Sequence, residues 1–573
     1  MTKCPRHIQA KLTCLLLCLN AAAGAHAMPA ASCTRPEPGA PVPEPEDLRS
    51  HDGVLELELT IRNVPGPNGS TRYCYSAANG AESPTLRLHP GDLLVLKLRN
   101  ALSVEGRAAS HVHAGPLAGA DPCISGAMTA TSTNLHFHGL TVPPRCHQDE
   151  VFRTSVQPGN SPFEYRFRIP QDEPPGLYWY HPHIHGFSSV QVQGGASGAL
   201  IVEGLERAAH EVAGLPERVL VIRDQSLLNP DAPPSKSEPL VPRMLIDRDG
   251  DSANNGTGFG RPAKDLSLNF VPVPYPDYPP ATIRMRPGER QLWRVLNASS
   301  VTYLNLALLF GRAPQQLGIV ALDGVPVNSA GATLPGVQWR DHIGLPPGAR
   351  AEFIATGPPA GVPALLVTRT VDTGQGGEND PNRALATISA VADAPEPRSA
   401  LPTATPPLPA PARPWLGSVT PTRVRRLYFS ETLSDPNNPN SATAFFITVD
   451  GQEPAPFDPA SGVPNIVVKQ GDVEDWIIEN RSTELHDFHI HQLHFLLLDY
   501  LGMPVDEPFL RDTVNVPYYN GRTLQYPSVR LRMDFRDPHS VGTFPYHCHL
   551  LEHEDGGMMG LVRVEPADGP AVR

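Results

Sequence analysis

The sequence has little of what would place a protein in a membrane or on a nucleic acid. No apolar run reaches the roughly 20 residues that a membrane-spanning helix needs. Basic residues are outnumbered, with 46 Lys and Arg against 59 Asp and Glu, so the formal net charge is −13. The short apolar runs therefore predict no membrane span. Nucleic acids and anionic lipids are bound through basic surfaces, so the acidic balance predicts no nucleic-acid partner and poor binding to anionic membranes.

Stretches with helical periodicity are scarce as well. The chain instead has 48 Gly and 66 Pro residues, which is typical of an all-β protein with many turns. With 573 residues, it is long enough for three or four domains of roughly 150 residues each. We therefore expect a multidomain all-β protein.

The first residues have the three parts of a secretion signal. Three basic residues within the first eleven precede the apolar run 12–20, and the motif Ala-His-Ala follows at 25–27. We predict a signal peptide over 1–27 and a secreted or periplasmic protein, exported by the general route because no twin-Arg pair is present. Its removal leaves 43 basic and 59 acidic residues, a net charge of −16.

Five cysteines lie beyond the predicted signal peptide. Four of them are in the first third of the chain, namely Cys33, Cys74, Cys123 and Cys146. An even number outside the cytosol predicts two disulfides, although the spacing leaves all three pairings open. Cys548 is left over, and a lone cysteine between histidines indicates a metal ligand or a reactive thiol.

One sequence pattern occurs three times and indicates the number of domains. A Gly-acid pair is followed by seven residues with apolar alternation and then by Asn, at 91–100, 288–297 and 471–480. The pattern predicts a tight turn, a half-buried strand and an Asn where the strand ends. The copies are roughly 190 residues apart, too far for stacked short repeats, so they predict three related β-sandwich domains.

Domain boundaries follow from these repeats and from composition. We predict domain 1 over 34–205, domain 2 over 206–393 and domain 3 over 415–573. The segment between the last two, 394–414, is rich in proline and predicts an extended linker.

Histidines recur in His-x-His pairs. On a strand, residues i and i+2 lie on the same face, so each pair can present two imidazoles to one site. His111/His113 lies in a Gly- and Ala-rich, loop-like segment, and we interpret that pair as a chance occurrence. The other clusters adjoin strand-like sequence and are His136/His138, His181/His183/His185, His489/His491 and His547/His549.

The last cluster, HCHLLEHEDGGM at 547–558, predicts two metal sites joined by one strand. Alternation places His547 and His549 on one face and Cys548 on the other. A few covalent bonds would then connect two metal centres, which suits electron transfer.

Cys548 can bind one metal together with His553 and a distant axial Met558, the ligand set of a blue-copper site. His486 is available as the remaining imidazole. A structural zinc site is disfavoured because it would use four nitrogen or sulfur ligands and no methionine.

These motifs resemble the four copper motifs of multicopper oxidases. The segments HFHG at 136–139, HPH at 181–183, HDFHIH at 486–491 and HCHLLEHEDGGM at 547–558 match that family in order and spacing. The resemblance covers the whole mature chain and implies three cupredoxin-like Greek-key β-sandwiches. Domain 2 has the repeat but no histidine pair, so it resembles the copper-free spacer of three-domain laccases.

The resemblance implies four copper ions, with dioxygen as one partner and a small reducing substrate as the other. The implied ligands are His486, Cys548, His553 and Met558 for type 1 copper; His136 and His489 for type 2; and, for the type 3 pair, His138, His181 and His549 on one copper and His183, His491 and His547 on the other. His185 and His494 lie off the motif and are interpreted as supporting or surface residues.

Two acids match the family's proton-relay positions. Glu554 follows His553 directly, and Asp149 lies in the segment CHQDEV. Reducing dioxygen consumes protons, so acids near the dioxygen site are required.

For function, the resemblance favours a laccase-like enzyme that oxidises phenols or aromatic amines by one electron and reduces dioxygen to water. Oxidation of a metal ion (cuprous, ferrous or manganous) and bilirubin-type oxidation are the alternatives. The scarcity of methionine disfavours a dedicated cuprous-ion oxidase, although HCHLLEHED resembles the bacterial copper-tolerance branch. A copper nitrite reductase would not need six type 3 histidines, and a non-catalytic copper-binding scaffold would usually lack part of the set.

Overall fold

The structure is a computed structural model that describes residues 33–567 apart from several gaps. The gaps are 104–120, 125–127, 234, 236–260, 330–335, 404–407, 409–412, 434, 436–442 and 506. The predicted signal peptide and the His111/His113 pair therefore lie outside the described residues.

The described chain is almost entirely β and forms three consecutive pairs of sheets. The predicted fold class, three cupredoxin-like β-sandwiches, is confirmed. The first sheet pair has the orders β1-β4-β9-β8-β6 and β3-β2-β5-β7. Its strands are β1 Asp47–Arg49, β2 Val54–Pro65, β3 Thr71–Ala77, β4 Thr85–Leu88, β5 Leu93–Ala101, β6 His136–His138, β7 Phe163–Arg168, β8 Gly176–His181 and β9 Gly198–Val202.

The middle sheet pair has the orders β12-β11-β10-β14-β21-β17-β18 and β13-β23-β22-β15-β16, with β19, β20 and β24 added at the sides. Its strands are β10 Pro216–Gln225, β11 Asp265–Leu268, β12 Val271–Val273, β13 Ala281–Met285, β14 Arg290–Asn297, β15 Leu304–Phe310, β16 Ala313–Pro314, β17 Leu317–Leu322, β18 Val325–Pro326, β19 Gln338–Arg340, β20 Ile343–Leu345, β21 Arg350–Thr356, β22 Ala364–Thr368, β23 Arg383–Ala390 and β24 Ser399–Ala400.

The third sheet pair has the orders β26-β25-β28-β34-β30-β31 and β27-β36-β35-β29-β33, with β32 beside β30. Its strands are β25 Arg423–Leu433, β26 Thr443–Val449, β27 Ile466–Lys469, β28 Val473–Asn480, β29 His486–Ile490, β30 Phe495–Tyr500, β31 Met503–Pro504, β32 Leu510–Arg511, β33 Thr513–Val516, β34 Ser528–Asp534, β35 Gly542–Cys548 and β36 Met559–Glu565.

The three copies of the sequence repeat occupy equivalent places. Each forms a strand (β5, β14 or β28) between one parallel and one antiparallel neighbour. The glycine at each turn has a positive φ, 89° at Gly91, 69° at Gly288 and 101° at Gly471, a conformation that glycine adopts without strain.

The Asn at the end of each repeat strand caps the following loop. Asn100, Asn297 and Asn480 each donate two side-chain hydrogen bonds to carbonyls of later segments. Each side-chain oxygen also accepts from the backbone N–H two residues on. The repeat is therefore one local structure used three times.

Helical structure is minor in the described residues. The α-helices are α1 Ser188–Gln193, α2 Leu205–Ala208 and α3 Leu551–Asp555, and the 3-10 turns are Pro67–Gly69, His210–Val212, Leu416–Ser418 and Pro538–Ser540. None of the helices in this part of the chain is long and apolar enough to span a bilayer.

Each sheet pair encloses its own apolar core, built around buried aromatic residues such as Trp293 in the middle pair and Trp476 in the third. The cysteines pair as Cys33–Cys74 and Cys123–Cys146, so both predicted disulfides are present and their pairing is settled. Cys548 is unpaired and buried, as expected. In the predicted linker, Ser399–Ala400 pairs with β10, so that part is joined to the middle sheets.

Candidate metal centres

Eight histidines from the first and third sheet pairs converge on one buried cluster. Antiparallel pairing puts His136 opposite His181 on β6 and β8, and His489 opposite His547 on β29 and β35. The remaining members are on β6 or just beyond the ends of these strands; they are His138, His183, His491 and His549. All eight side chains are at most 3% exposed.

The rings of the two sheet pairs interleave. His136 stacks on His491 with ring centroids 3.7 Å apart, and His138 stacks on His489 at 3.9 Å. His547 Nε2 lies 3.4 Å from His183 Nε2 and 3.2 Å from His491 Nε2. The cluster therefore exists only because the first and third sheet pairs meet.

The hydrogen bonding of these rings fits bound metal. In several rings one nitrogen donates to a fixed oxygen: His181 Nδ1 to the Pro182 carbonyl at 2.9 Å, and His489 Nδ1 to the Asp512 carbonyl at 2.7 Å. Their other nitrogens are buried without a partner. An unsatisfied buried polar atom costs about 1–3 kcal/mol, and imidazole nitrogens are good copper ligands, so a copper site explains the arrangement.

Electrostatics favour the neutral, ligating form of these rings. Burial, reinforced by neighbouring histidines, lowers the pKa of His136, His138 and His489 well below the usual range. Burial also lowers the pKa of His181 to about 3 and that of His547 to about 4. At neutral pH the rings are therefore uncharged and keep a lone pair for a metal.

A second site lies on the other face of β35. Cys548 Sγ is 3.6 Å from His486 Nδ1 and 3.9 Å from His553 Nδ1, and the two nitrogens are 3.3 Å apart. Met558 is buried in the same core, and its carbonyl accepts a hydrogen bond from the Cys548 N–H. The alternation predicted for 547–549 agrees with this placement, since Cys548 faces one site while its two neighbours face the other.

Both predicted relay acids lie against cluster histidines. Asp149 accepts from His136 Nδ1 at 3.0 Å and from the Phe137 N–H at 2.9 Å. Glu554 on α3 lies 3.6 Å from His183 Nδ1 and 3.4 Å from His547 Nδ1. Burial raises the pKa of both carboxyls well above the usual range, which favours the protonated form of each.

An ion pair that the sequence did not indicate closes one side of the cluster. Arg350, the first residue of β21 in the middle sheet pair, binds Asp512 through two hydrogen bonds of 2.7 Å. Asp512 Oδ1 also lies 3.2 Å from His138 Nε2. Neither residue belongs to a recognisable motif, so only the packing of distant segments reveals them.

Two glycines make room for this arrangement. A Cβ at Gly139, which ends the HFHG segment, would lie 2.4 Å from an Arg350 nitrogen. A Cβ at Gly348 would lie 2.8 Å from the His549 ring. Both have positive φ, 90° and 83°, so glycine is favoured at both positions on two counts.

The histidines outside the motif have other partners. His494 is buried, and its Nε2 donates to the Asp323 carbonyl at 2.9 Å. His185 is partly exposed and its ring meets Phe457 edge-on at 5.2 Å. Neither ring is among those that converge on the two sites.

This fold and these two donor sets define a class, the copper-binding β-sandwich proteins. Family models described as multicopper oxidase match residues 127–207 and 429–568. A multicopper oxidase of Staphylococcus haemolyticus is 23% identical over 526 residues, covering 90% of this chain and 88% of that protein. The laccase of Bacillus subtilis is 22% identical, covering 74% of this chain and 78% of the relative.

Among solved structures, a multicopper oxidase from Campylobacter jejuni described as a metallo-oxidase superposes with a TM-score of 0.61 at 23% identity. The superposition covers 92% of this chain and 96% of that one. The chain belongs to the multicopper oxidase family, and it is a copper-dependent oxidoreductase that uses dioxygen.

Proposed function

We propose that the chain holds four coppers, oxidises a small donor one electron at a time, and reduces dioxygen to two waters. The observation that carries this proposal is the pair of buried donor sets joined through Cys548. Type 1 copper is assigned to His486, Cys548, His553 and Met558, and the eight clustered histidines are divided among types 2 and 3 as the family resemblance implies. When bound, the coppers supply the one-electron redox steps and the binding of dioxygen.

The protein's contribution to electron transfer is the short covalent path along β35. His553 is partly within reach of solvent, at 9% side-chain exposure, while Cys548 is fully buried. An electron that enters at the His553 ring crosses to Cys548 and then, through the backbone, to His547 or His549. Because every group on this path is buried and packed, little reorganisation accompanies each transfer.

Protons are supplied by the two acids. Glu554 on α3 accepts a hydrogen bond from Ser188 Oγ on α1 at 3.1 Å, which holds its carboxyl beside His183 and His547. Asp149 accepts a hydrogen bond from His136, another ring of the cluster. The two acids contact different rings of the cluster and can deliver protons to dioxygen while the surrounding apolar packing excludes bulk water.

For the donor we propose phenols and aromatic amines, the laccase-like substrates that the sequence favours and that a relative named laccase supports. Such molecules can donate through a ring edge placed over His553. We also propose that the chain has three domains, at 34–205, 206–393 and 415–573, and that the protein is secreted or periplasmic.

The direct test is Cys548→Ser. We expect the native enzyme to bind about four coppers per chain, to absorb intensely in the visible, and to take up oxygen with a phenol as donor. The variant should lose the visible band and oxygen uptake, because serine cannot replace the thiolate. His185→Ala, which removes a neighbouring histidine outside both sites, is the control. A blue Cys548→Ser protein, or a native protein with far fewer than four coppers, would refute the assignment.

A further inference from the structure

A broad pocket lies where three parts of the chain meet, and none of its lining residues belongs to either histidine site. Its walls come from the segment 35–38, from β3 and α1 of the first sheet pair, and from Leu228 and Pro272 of the middle pair. It encloses about 1030 Å³ of space including its mouth, which is comparable with the upper end of the range for pockets that bind small organic ligands. The pocket is therefore large enough for a whole organic molecule.

Much of the wall is apolar and offers no backbone donor. Val190 of α1 and Leu228 contribute aliphatic side chains. Four prolines, which have no N–H group, also line the pocket: Pro36, Pro38, Pro67 and Pro272. Such a wall suits the ring or hydrocarbon body of a ligand, and it leaves the recognition of a polar head to side chains.

Arg72, the second residue of β3, is the uncommitted cation of the pocket. It is partly buried, and no hydrogen bond or ion pair reaches its guanidinium from the residues that the structure describes. The other arginine of the wall, Arg35, is paired with Glu82 and lies over the Phe270 ring at 4.0 Å. Glu37, the one acid in the lining, is exposed to solvent. An anion that enters the pocket therefore meets a guanidinium with unused N–H donors.

Amide and hydroxyl groups lie in the same walls. Gln193, the last residue of α1, has its Nε2 buried without a hydrogen-bond partner, which is unfavourable until an acceptor is supplied. Gln225 and Ser226, at the end of β10, add a second amide and a hydroxyl. All three side chains can donate hydrogen bonds, so the polar part of the pocket suits a ligand with acceptor oxygens.

We propose that this pocket binds a small organic carboxylate, with the carboxylate on Arg72 and the apolar body against the prolines. A planar guanidinium matches a planar carboxylate through two parallel hydrogen bonds. An inorganic anion would satisfy Arg72 but leave the apolar wall in water, and a neutral ring would cover the wall but leave the cation unpaired.

The site needs no copper and goes beyond the proposed function. It lies at the end of α1 remote from Ser188, the residue that holds Glu554. A ligand there would join segment 35–38 to the first and middle sheet pairs, because all three contribute to the walls. Binding should therefore also raise the melting temperature.

The test titrates benzoate calorimetrically into the copper-loaded enzyme. We expect one molecule per chain, with a Kd on the order of 1 mM for so small a ligand. Arg72→Gln should raise the Kd at least about tenfold, because the charged hydrogen bonds are lost. Arg72→Lys should give an intermediate Kd, since lysine keeps the charge but cannot form the paired hydrogen bonds.

Arg166→Gln is the matched control, because it removes the same charge from the same sheet. Arg166 lies on β7, at the opposite edge of the sheet from β3, and its side chain is 55% exposed and outside the pocket. Benzoate binding should be unchanged in this variant. The visible band and the copper content should be native in all three variants, which shows that each is folded.

Two further probes test the chemical class of the ligand. Benzyl alcohol has nearly the shape of benzoate without its charge, and sulfate has charge without an apolar body. Each should bind the native enzyme at least about tenfold more weakly than benzoate. Equal binding of either probe would overturn the assignment, since the pocket would then be a purely apolar site or a general anion site.

The location of the site is tested by the same titrations. Equal benzoate binding in native enzyme and Arg72→Gln would place the ligand elsewhere, including on a copper, and would overturn the inference. Native enzyme that binds no benzoate would do so as well. Neither result would touch the proposed function, which oxygen uptake and Cys548→Ser test separately.

Discussion

The middle sheet pair and the two that flank it share the repeat strand and its two neighbours but differ in whether they carry the proposed copper ligands. All three have the repeat strand, its positive-φ glycine and its capping Asn. The proposed copper ligands lie only in the first and third pairs. The middle pair nevertheless places Arg350 and Gly348 against the histidine cluster and Tyr303 and Glu378 beside His553.

The comparison shows that a sandwich without ligands can still form part of a metal centre. Arg350 crosses from the middle pair to Asp512 in the third, and its Nε donates to the Leu177 carbonyl in the first at 3.1 Å. Asp323 of the middle pair accepts from the backbone N–H groups of Arg350 and Asp512. The middle pair therefore supplies no copper ligand, but it does help to hold the residues around the histidine cluster in place.

The largest expected effect comes from Arg350→Met. The variant leaves Asp512 buried without its partner, which costs about 3–5 kcal/mol, and frees the carboxylate beside His138. We expect a lower melting temperature and fewer than four coppers per chain, measured by calorimetry and metal analysis. Arg350→Lys should recover part of both losses, because lysine keeps the charge but not the two-pronged hydrogen bonding.

A matched control separates stability from metal binding in that experiment. Arg218 is also a buried arginine of the middle pair, bound to Gln291 at 2.9 Å and distant from the histidines. Arg218→Met should lower stability and leave the copper content intact. If Arg350→Met also retains four coppers and native spectra, the middle pair is a spacer after all.

The second largest expected effect, that of Glu554→Gln, involves only residues of the first and third sheet pairs. Glu554→Gln removes the carboxyl from between His183 and His547 while keeping the shape of the side chain. We expect the visible band to persist and the reoxidation of reduced enzyme by dioxygen to slow by about 10²-fold or more. Glu552→Gln, two residues earlier on α3 and 43% exposed at its side chain, is the control for reoxidation. Unchanged stopped-flow reoxidation would remove Glu554 from the relay.

The smallest effect again tests the middle pair. Gly348→Ala puts a methyl group 2.8 Å from the His549 ring at a backbone φ of 83°. We expect about 1 kcal/mol of lost stability and an altered type 3 copper spectrum, with the type 1 band unchanged. Gly344→Ala, four residues earlier, has open space around the added methyl and should change neither. Identical spectra for the two variants would show that the copper site tolerates a methyl group at Gly348 beside the His549 ring.

Much of the site could be predicted from the sequence because it is encoded locally. The His-x-His pairs, the opposite faces of His547 and Cys548, and the three repeat strands depend on neighbours along one strand, where side chains alternate with a period of two. The fold class followed from the same repeat. The ion pair beside the histidine cluster could not be predicted. Arg350 and Asp512 belong to no motif in the sequence, and only the packing of distant segments brings them together.

The sequence alone therefore determined which residues can face a metal, since strand geometry decides the face on which each side chain lies. Tertiary structure decided which of them meet: His138 and Asp512 are 374 residues apart, and the ring stacks join strands of different sheet pairs. It also decided the disulfide partners and the pocket beside Arg72. Contacts of this kind depend on how separate sandwiches pack, and no local periodicity of the chain records that packing.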